Sequence, residues 1–367
     1  LPLQSTKLIT CSVYFGEHLV IRNKVNSNLF KDNTFNTTYL TSYLDTVMNN
    51  AKKSSCGKTI LFLVSWYPSR IDAFNGDFIE RHAKEASIYN QIIVVYVVKD
   101  SSIMNKKVFI EKSGSNNLLT YIGYYPGVIT NGKWREKFYN LVQYISASRK
   151  VYKKVFKEYG KPDLIHAHVT LLAGLIALYF KFTKGWKYIL TEHWTYYNQI
   201  AGNNYYHKNF IEKYFVKMIL RNALLILPVS FDLGNKMKNI AGDIRIQVLP
   251  NVVDTNQFCF KERTKKDGFR MIHVSSMNHQ KNPEGIIHAF TSIVNKLPDW
   301  ELWMIGPPEK HVIQLAKESG LLNKQIFFMG MISYEAVAKE CKQSNAMVMF
   351  SRYENFQCTI LEGFCCG

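Results

Sequence analysis

The chain has 367 residues, 47% of them hydrophobic and 20% charged, which is enough for two domains and too apolar for a disordered polymer. Its 46 Lys and Arg against 28 Asp and Glu leave a formal charge of +18, which favours anionic partners: phosphate-bearing substrates, an acidic membrane face or nucleic acid. Seven cysteines with no CxxC pair exclude a disulfide framework and fit reduced thiols in the cytoplasm, and no apolar run approaches the ~18 residues that span a bilayer.

In chain order, residues 1–56 are rich in Asn, Ser and Thr with no sustained period, and are predicted to be a poorly structured extension. Met48 stands just before the first strand-like run, so the domain is expected to begin there, with 1–47 upstream of it. The apolar run 59–65 reads as a buried parallel strand, 76–89 as a helix with Phe78, Ile79, His82, Ala83 and Ala86 as its stripe, and 91–98 as a second strand. A long helix is predicted over 135–158, then a strand over 163–168, a helix from 171, strands over 187–192 and 224–229, and a short strand over 247–250. Alternation of this kind means a parallel sheet with helices on both faces.

The charged stretch 261–268 (KERTKKDG) has no apolar period and reads as a linker. The pattern then restarts, with strands over 270–274, 301–305, 325–329 and 346–350 and helices over 283–296, 310–319 and 334–343. The expected organisation is a first Rossmann-like domain at 57–260 and a second at 269–367. About four strands in the second domain, against the five or six usual in doubly wound sheets, lead to the expectation that it is incomplete.

Ligands of open parallel sheets bind beyond the carboxyl ends of the strands, so residues just after strands carry the functional weight. Glu354 and Glu362 lie eight positions apart after the last strand. On one helix they would stand about 12 Å apart, beyond the roughly 5–9.5 Å of paired glycosidase carboxylates. The alternative places Glu354 in a loop and Glu362 on the following helix. N–H groups near Asn355, Phe356 and Gln357 then hold a phosphate, Glu354 takes sugar hydroxyls and Glu362 takes ribose hydroxyls. Spacing alone favours the plainer account, a loop glutamate and an ordinary helical one. His166 and His168 alternate in one strand, but no third ligand is near in sequence, so no metal is expected. Residues 65–76 hold no GxGxxG, which argues against a dehydrogenase, and no nucleic-acid reader motif appears.

The element E-x7-E after a strand resembles the donor-site signature of family-4, GT-B, retaining glycosyltransferases. Val248 to Asp254 with Phe258 is similar to that family's "PNGVD…F", Met271 to Met277 with Lys281-Asn282 to its "vGRl…KG", and Trp303 to Gly306 to its "ivG" strand. Asp163 to His168 and Thr191-Glu192-His193 resemble two strand ends of the acceptor domain. The resemblance runs from about Lys58 to Gly367. It implies an α/β fold of two Rossmann-like doubly wound domains facing a cleft. It also implies a bacterial enzyme of polysaccharide assembly that moves a sugar from a nucleotide-diphosphate sugar to a hydroxyl acceptor with retention of configuration.

By that resemblance His193, Lys281 and Glu354 are the catalytic residues. Gly76, Ser276, Lys281, Asn355, Phe356, Gln357 and Glu362 bind the donor, and His168, Trp194 and Tyr196 line the acceptor side, where packing is the competing role for the two aromatics. The family's arginine is absent, with Ser276 near its position, so diphosphate binding leans on Lys281 and a helix N-terminus. No cofactor and no metal are expected. The expected partners are a UDP- or GDP-sugar and a glycan or lipid-linked acceptor, with no nucleic acid. Arg149, Lys150, Lys153, Lys154 and Lys157, and Lys213, Lys217 and Arg221, recur at helical spacing. They read either as solvated helix faces or as a peripheral contact with anionic lipid at the inner face of the plasma membrane. A nucleotide-sugar epimerase of the same fold and an inactive membrane-associated scaffold are the alternative functions.

Overall fold

The computed structural model describes residues 57–103, 107–127, 132–262 and 268–367, preceded by two short antiparallel strands, β1 (Cys11–Val13) and β2 (Leu19–Ile21). The rest of the expected extension 1–56, and residues 263–267 of the expected linker, lie outside the described residues. The chain divides into two compact units. The first comprises Cys11–Trp194 and His207–Asn251, and the second Thr195–Tyr206 and Val252–Gly367. The crossover into the second unit thus comes at Val252, ahead of the charged stretch 261–268.

The first unit is built on seven strands: β3 (Thr59–Val64), β4 (Gln91–Lys99), β5 (Phe109–Ser115), β6 (Leu118–Tyr125), β7 (Leu164–His168), β8 (Tyr188–Glu192) and β9 (Ile226–Pro228). They pair in the order β5-β6-β4-β3-β7-β8-β9, all parallel except the β5–β6 hairpin. Its helices are α1 (Asp77–Ala86), α2 (Lys133–Tyr159), α3 (Ala173–Lys184), α4 (Phe210–Asn222) and α5 (Phe231–Ala241). The central strands are apolar on both faces because helices cover both. Ile60, Phe62 and Val64 of β3 pack with Ile92, Val94 and Tyr96 of β4 and with Ile79, Ala83 and Ala86 of α1. Ser230 caps α5 by accepting the Leu233 N–H.

The second unit has β10 (Phe269–Val274), α6 (Pro283–Val294), β11 (Trp300–Ile305), α7 (Lys310–Glu318), β12 (Ile326–Gly330), α8 (Tyr334–Gln343), β13 (Ala346–Met347) and α9 (Cys358–Cys366). Its parallel strands run in the order β12-β11-β10-β13. Alternation splits the core between the two faces. Leu302 and Met304 of β11 pack with Ile286, Ile287 and Phe290 of α6, while Ile305 packs with Val337 and Ala338 of α8.

Several predicted elements change. The hairpin β5–β6 was not predicted; its edge strand is largely exposed and carries no apolar period. Helix α5 fills a stretch left unassigned, and α4 contains the helical spacing read at Lys213, Lys217 and Arg221. The strand predicted over 247–250 is reduced to a bridge between Ile226 and Ile246, with Gln247 and Leu249 donating to the carbonyls of Ile226 and Pro228. The strand predicted over 346–350 stops at Met347, because the Val348 carbonyl is taken by the His273 imidazole (Nδ1 to O, 2.9 Å).

Gly306 closes β11 at φ +128°, and a Cβ there would lie 1.8 Å from the Ser275 carbonyl oxygen, a backbone atom that cannot move aside. Gly306→Ala is therefore expected to destabilise the second unit by about 2 kcal/mol or more. Gly320→Ala, at φ +73° with open space around it, should cost only about 1 kcal/mol. Urea unfolding of the two variants checks the ordering; equal losses would contradict the close approach.

Candidate functional site

In each sheet the strand order reverses at one point. The first sheet grows from β3 outward through β4 and then returns to place β7 on the other side of β3; the second does the same with β13 beside β10. A topological switch point is where loops at the carboxyl ends of neighbouring strands diverge and leave room for a ligand. Gly76 and His168 lie at the first of these places, and Ser276, Lys281 and Glu354 at the second.

In the second unit the loop after β10 opens with a small network. His273 Nδ1–H donates to the Val348 carbonyl (2.9 Å), so its Nε2 is the acceptor for the Ser275 hydroxyl (2.7 Å), and Ser275 Oγ accepts the Met277 N–H (2.9 Å). Burial lowers the His273 pKa and keeps that tautomer neutral. Met277 is held at φ 48° and Asn282 at φ 51°, both in the left-handed region that non-glycine residues avoid. Ser276 is exposed. The loop after β13 brings Glu354 to this turn. Lys281 Nζ lies 2.5 Å from Glu354 Oε1, and Gln280 Nε2 donates to Glu354 Oε2 (3.3 Å) and to the Tyr353 carbonyl (3.1 Å). The Lys281 and Glu354 side chains keep only 19% and 24% of their surface, so the pair is partly shielded from water.

Helix α9 begins at Cys358 with Gln357 as its cap residue, later than expected. Asn355, Phe356 and Gln357 are thus loop residues, and the first-turn N–H groups belong to Cys358, Thr359 and Ile360. Glu362 lies on the second turn and is buried, accepting a hydrogen bond from the Tyr334 hydroxyl (3.0 Å). Tyr196, also in this unit, is fully buried against Tyr197 and Tyr205, a packing position that offers no ring face to a sugar.

In the first unit, Gly76 caps α1 at φ 69°, and a Cβ there would meet the Trp66 carbonyl group at 2.6–2.7 Å. Trp66 stands edge-on to Trp194 (centroids 5.6 Å). The loop after β7 is strained: Val169 has φ 76° and Leu172 φ 61°. Glu192 holds it in place. This fully buried carboxylate accepts the Thr170 hydroxyl (2.5 Å) and the N–H groups of Thr170, His193 and Trp194 (2.8–2.9 Å). Burial raises its pKa and the four donors oppose that shift.

His193 Nδ1 lies 3.0 Å from Asn251 Oδ1, as does His82 Nε2 at 3.3 Å. With that oxygen as the acceptor, both nitrogens carry protons. His193 Nε2 is then left to accept from His168 Nδ1 (3.2 Å). Both ring nitrogens of His193 are engaged within the unit, so the ring reaches a sugar hydroxyl only by exchanging one of these bonds. His168 Nε2 is buried with no hydrogen-bond partner among the described residues. Burial lowers the His82 pKa to about 4 and those of His166, His168 and His193 well below the ordinary value. Among the described residues no group of three or more His, Cys, Asp or Glu is arranged to hold a metal ion.

Two family models match the chain: "Glycosyltransferase Family 4" over residues 112–257 and "Glycosyl transferases group 1" over residues 254–367. The chain is a glycosyltransferase.

Its fold is the GT-B type, and solved structures carry the same likeness. Sucrose-phosphate synthase from Thermosynechococcus elongatus is similar with a TM-score of 0.64 at 16% identity, over 84% of this chain and 79% of that one. Anabaena HepE in complex with UDP and glucose gives 0.60 at 14%, over 84% and 78%. The E. coli structure of trehalose-6-phosphate bound with UDP-2-fluoro glucose gives 0.57 at 10%, over 84% and 82%. No curated protein sequence is a significant match. Sequence reasoning about the glycosyltransferase missed Glu192, Gln280, Asn251 and the His273–Ser275 pair. Glu192 and Asn251 stood inside quoted motifs, but Thr170 comes to the first from the loop after β7, and His82 and His193 come to the second from α1 and the loop after β8.

The buried imidazoles give the glycosyltransferase an acid-sensitive first unit. Above pH 6.5 these rings are neutral in folded and unfolded chains alike. As pH falls from 6.5 toward about 4, the unfolded chain takes up protons that folded His82 refuses, so stability drops through that window. Urea midpoints should fall over this range as the unfolding free energy drops by up to ~1.4 kcal/mol per pH unit for each such histidine. A constant midpoint would show that the rings are not buried neutral.

Proposed function

We propose that this glycosyltransferase moves a hexosyl group from a nucleoside-diphosphate sugar to a hydroxyl of a glycan or lipid-linked acceptor, with retention of configuration and without a metal ion. The observation that carries this reading is the Lys281–Glu354 pair at the switch point of the second sheet. It sets one cation and one carboxylate side by side, the two groups a donor needs for its phosphate and its sugar hydroxyls. The neighbours that hold UDP, glucose and UDP-2-fluoro glucose favour a UDP-sugar over a GDP-sugar.

In the proposed reaction the bond from the anomeric carbon to the diphosphate oxygen breaks while the acceptor oxygen bonds to the same face of that carbon. The acceptor's proton passes to the departing phosphate oxygen. Lys281 stabilises the charge that grows on the diphosphate, aided by the first-turn N–H groups of α9, and Glu354 orients the sugar through its hydroxyls. Glu362 serves the ribose end, and in the first unit His193 takes a sugar hydroxyl once it gives up its bond to His168.

A panel of UDP-, GDP- and ADP-sugars, assayed with EDTA for released nucleotide, tests this reading. Turnover of one donor is expected, lowered at least ~100-fold in Glu354→Ala and in Lys281→Ala, with the product anomer matching the donor by NMR. No turnover of any donor, or turnover indifferent to Glu354→Ala, would overturn it.

We further propose that the first unit docks on an anionic phospholipid surface through α2. Tyr139, Leu141, Val142 and Ile145 lie exposed on its N-terminal half, followed by exposed Arg149, Lys150, Lys153, Lys154 and Lys157. No described helix is long and apolar enough to cross a membrane, so the contact is peripheral. Sedimentation with phosphatidylglycerol vesicles should exceed that with phosphatidylcholine. Replacing Lys150, Lys153 and Lys154 with Glu should cut it by at least ~100-fold, near 1 kcal/mol per charge. Equal binding to both lipids would contradict the proposal.

A further inference from the structure

We infer that Arg352 is a positioning residue for Lys281, a role that rests on the donor-site reading above. Lys281 sits on a four-residue turn whose internal support is slight. Its own N–H and that of Asn282 both converge on the Asn278 carbonyl (2.9 and 3.2 Å), and the Asn278 side-chain oxygen is a longer second acceptor for the Lys281 N–H (3.3 Å), so all of it hangs on one residue. The turn ends at Asn282 in the left-handed conformation, which costs free energy in a residue other than glycine. Left to itself, such a turn would not hold a flexible lysine to one place.

Arg352 supplies the missing support. Its backbone N–H donates to the Gln280 carbonyl (2.8 Å), its Nε–H to the His279 carbonyl (3.0 Å), and its Nη2–H to Asn282 Oδ1 (2.8 Å). The three bonds fall on both sides of Lys281 and none falls on Lys281 itself. Gln280 returns the contact by donating to the Tyr353 carbonyl and to Glu354 Oε2. The two loops are thus laced residue by residue: 279, 280 and 282 to 352, and 280 and 281 to 353 and 354. That lacing sets the register in which the ammonium of Lys281 meets the carboxylate of Glu354.

The Asn282 amide oxygen is drawn into this contact and makes no capping bond to α6, which instead starts on Pro283. The side chain at the start of a helix is thereby used to tie the turn to Arg352. The requirement is sharper because Ser276, exposed in the same loop, offers no bidentate fork to a diphosphate. A lysine is a point charge on a four-carbon stem, and its value to a leaving group depends on where the backbone beneath it is held.

A double-mutant cycle on the intact enzyme tests this, with kcat/KM for the UDP-sugar, Kd for UDP and the melting temperature as readouts. Arg352→Ala should lower kcat/KM by about 10-fold or more, and by less than about 2-fold in a Lys281→Ala background, because the two residues act as a unit. Arg352→Lys should not restore activity, since one ammonium cannot span the His279 carbonyl and Asn282 Oδ1 with the planar fork that Arg provides. Equal losses in both backgrounds would mean that Arg352 contacts the phosphate itself or merely supports the fold, and would overturn the inference. A neutral Arg352→Ala beside a damaging Lys281→Ala would overturn it while leaving the donor site intact. A neutral Lys281→Ala would remove the donor-site reading and this inference together.

Discussion

Two parallel strands that are neighbours in space but remote in sequence decide where charge can gather in the second unit. Because β13 returns to pair with β10 rather than extending the sheet beyond β12, the loops that leave the two strands emerge side by side. Lys281 and Glu354 meet for that reason and for no local one. The His273 imidazole reinforces the geometry from below. By taking the Val348 carbonyl it ends β13 after two residues and frees the chain to turn toward Lys281. Its other nitrogen fixes Ser275, which in turn holds the Met277 N–H.

The first unit solves a parallel problem with different chemistry. Its switch-point loop after β7 is strained at Val169 and Leu172, and one buried carboxylate, Glu192, holds it with two hydrogen bonds to Thr170 while accepting two more from the His193 and Trp194 N–H groups. Next to it lie neutral histidines tied to Asn251, the last residue before the chain passes into the second unit. A polar cluster so deeply buried is costly if any member is left incomplete, which rigidifies the loops around it and makes them sensitive to acid.

Much of the fold was legible in the amino-acid sequence because apolar runs such as 59–64 and 91–98 have only one plausible use, a strand covered on both faces. The β5–β6 hairpin was not, since Phe109–Ser115 is an exposed edge with no alternation to read. The start of α9 was placed too early: the free N–H groups of the helix were expected near Asn355 to Gln357, and the structure keeps those residues in the loop. In the site, Lys281 and Glu354 were visible through the motifs that contain them. The roles of Arg352, Gln280 and Asn251 were not, because each depends on a partner that only the folded chain brings near.

Titration of UDP and of a UDP-sugar against the wild-type enzyme, Lys281→Met and Glu354→Gln tests the division of labour in this pair most directly. If Lys281 serves the phosphate and Glu354 the sugar, UDP affinity falls in Lys281→Met and stays unchanged in Glu354→Gln, while UDP-sugar affinity falls in both. UDP affinity unaffected by Lys281→Met would contradict the account, whatever the behaviour of Glu354.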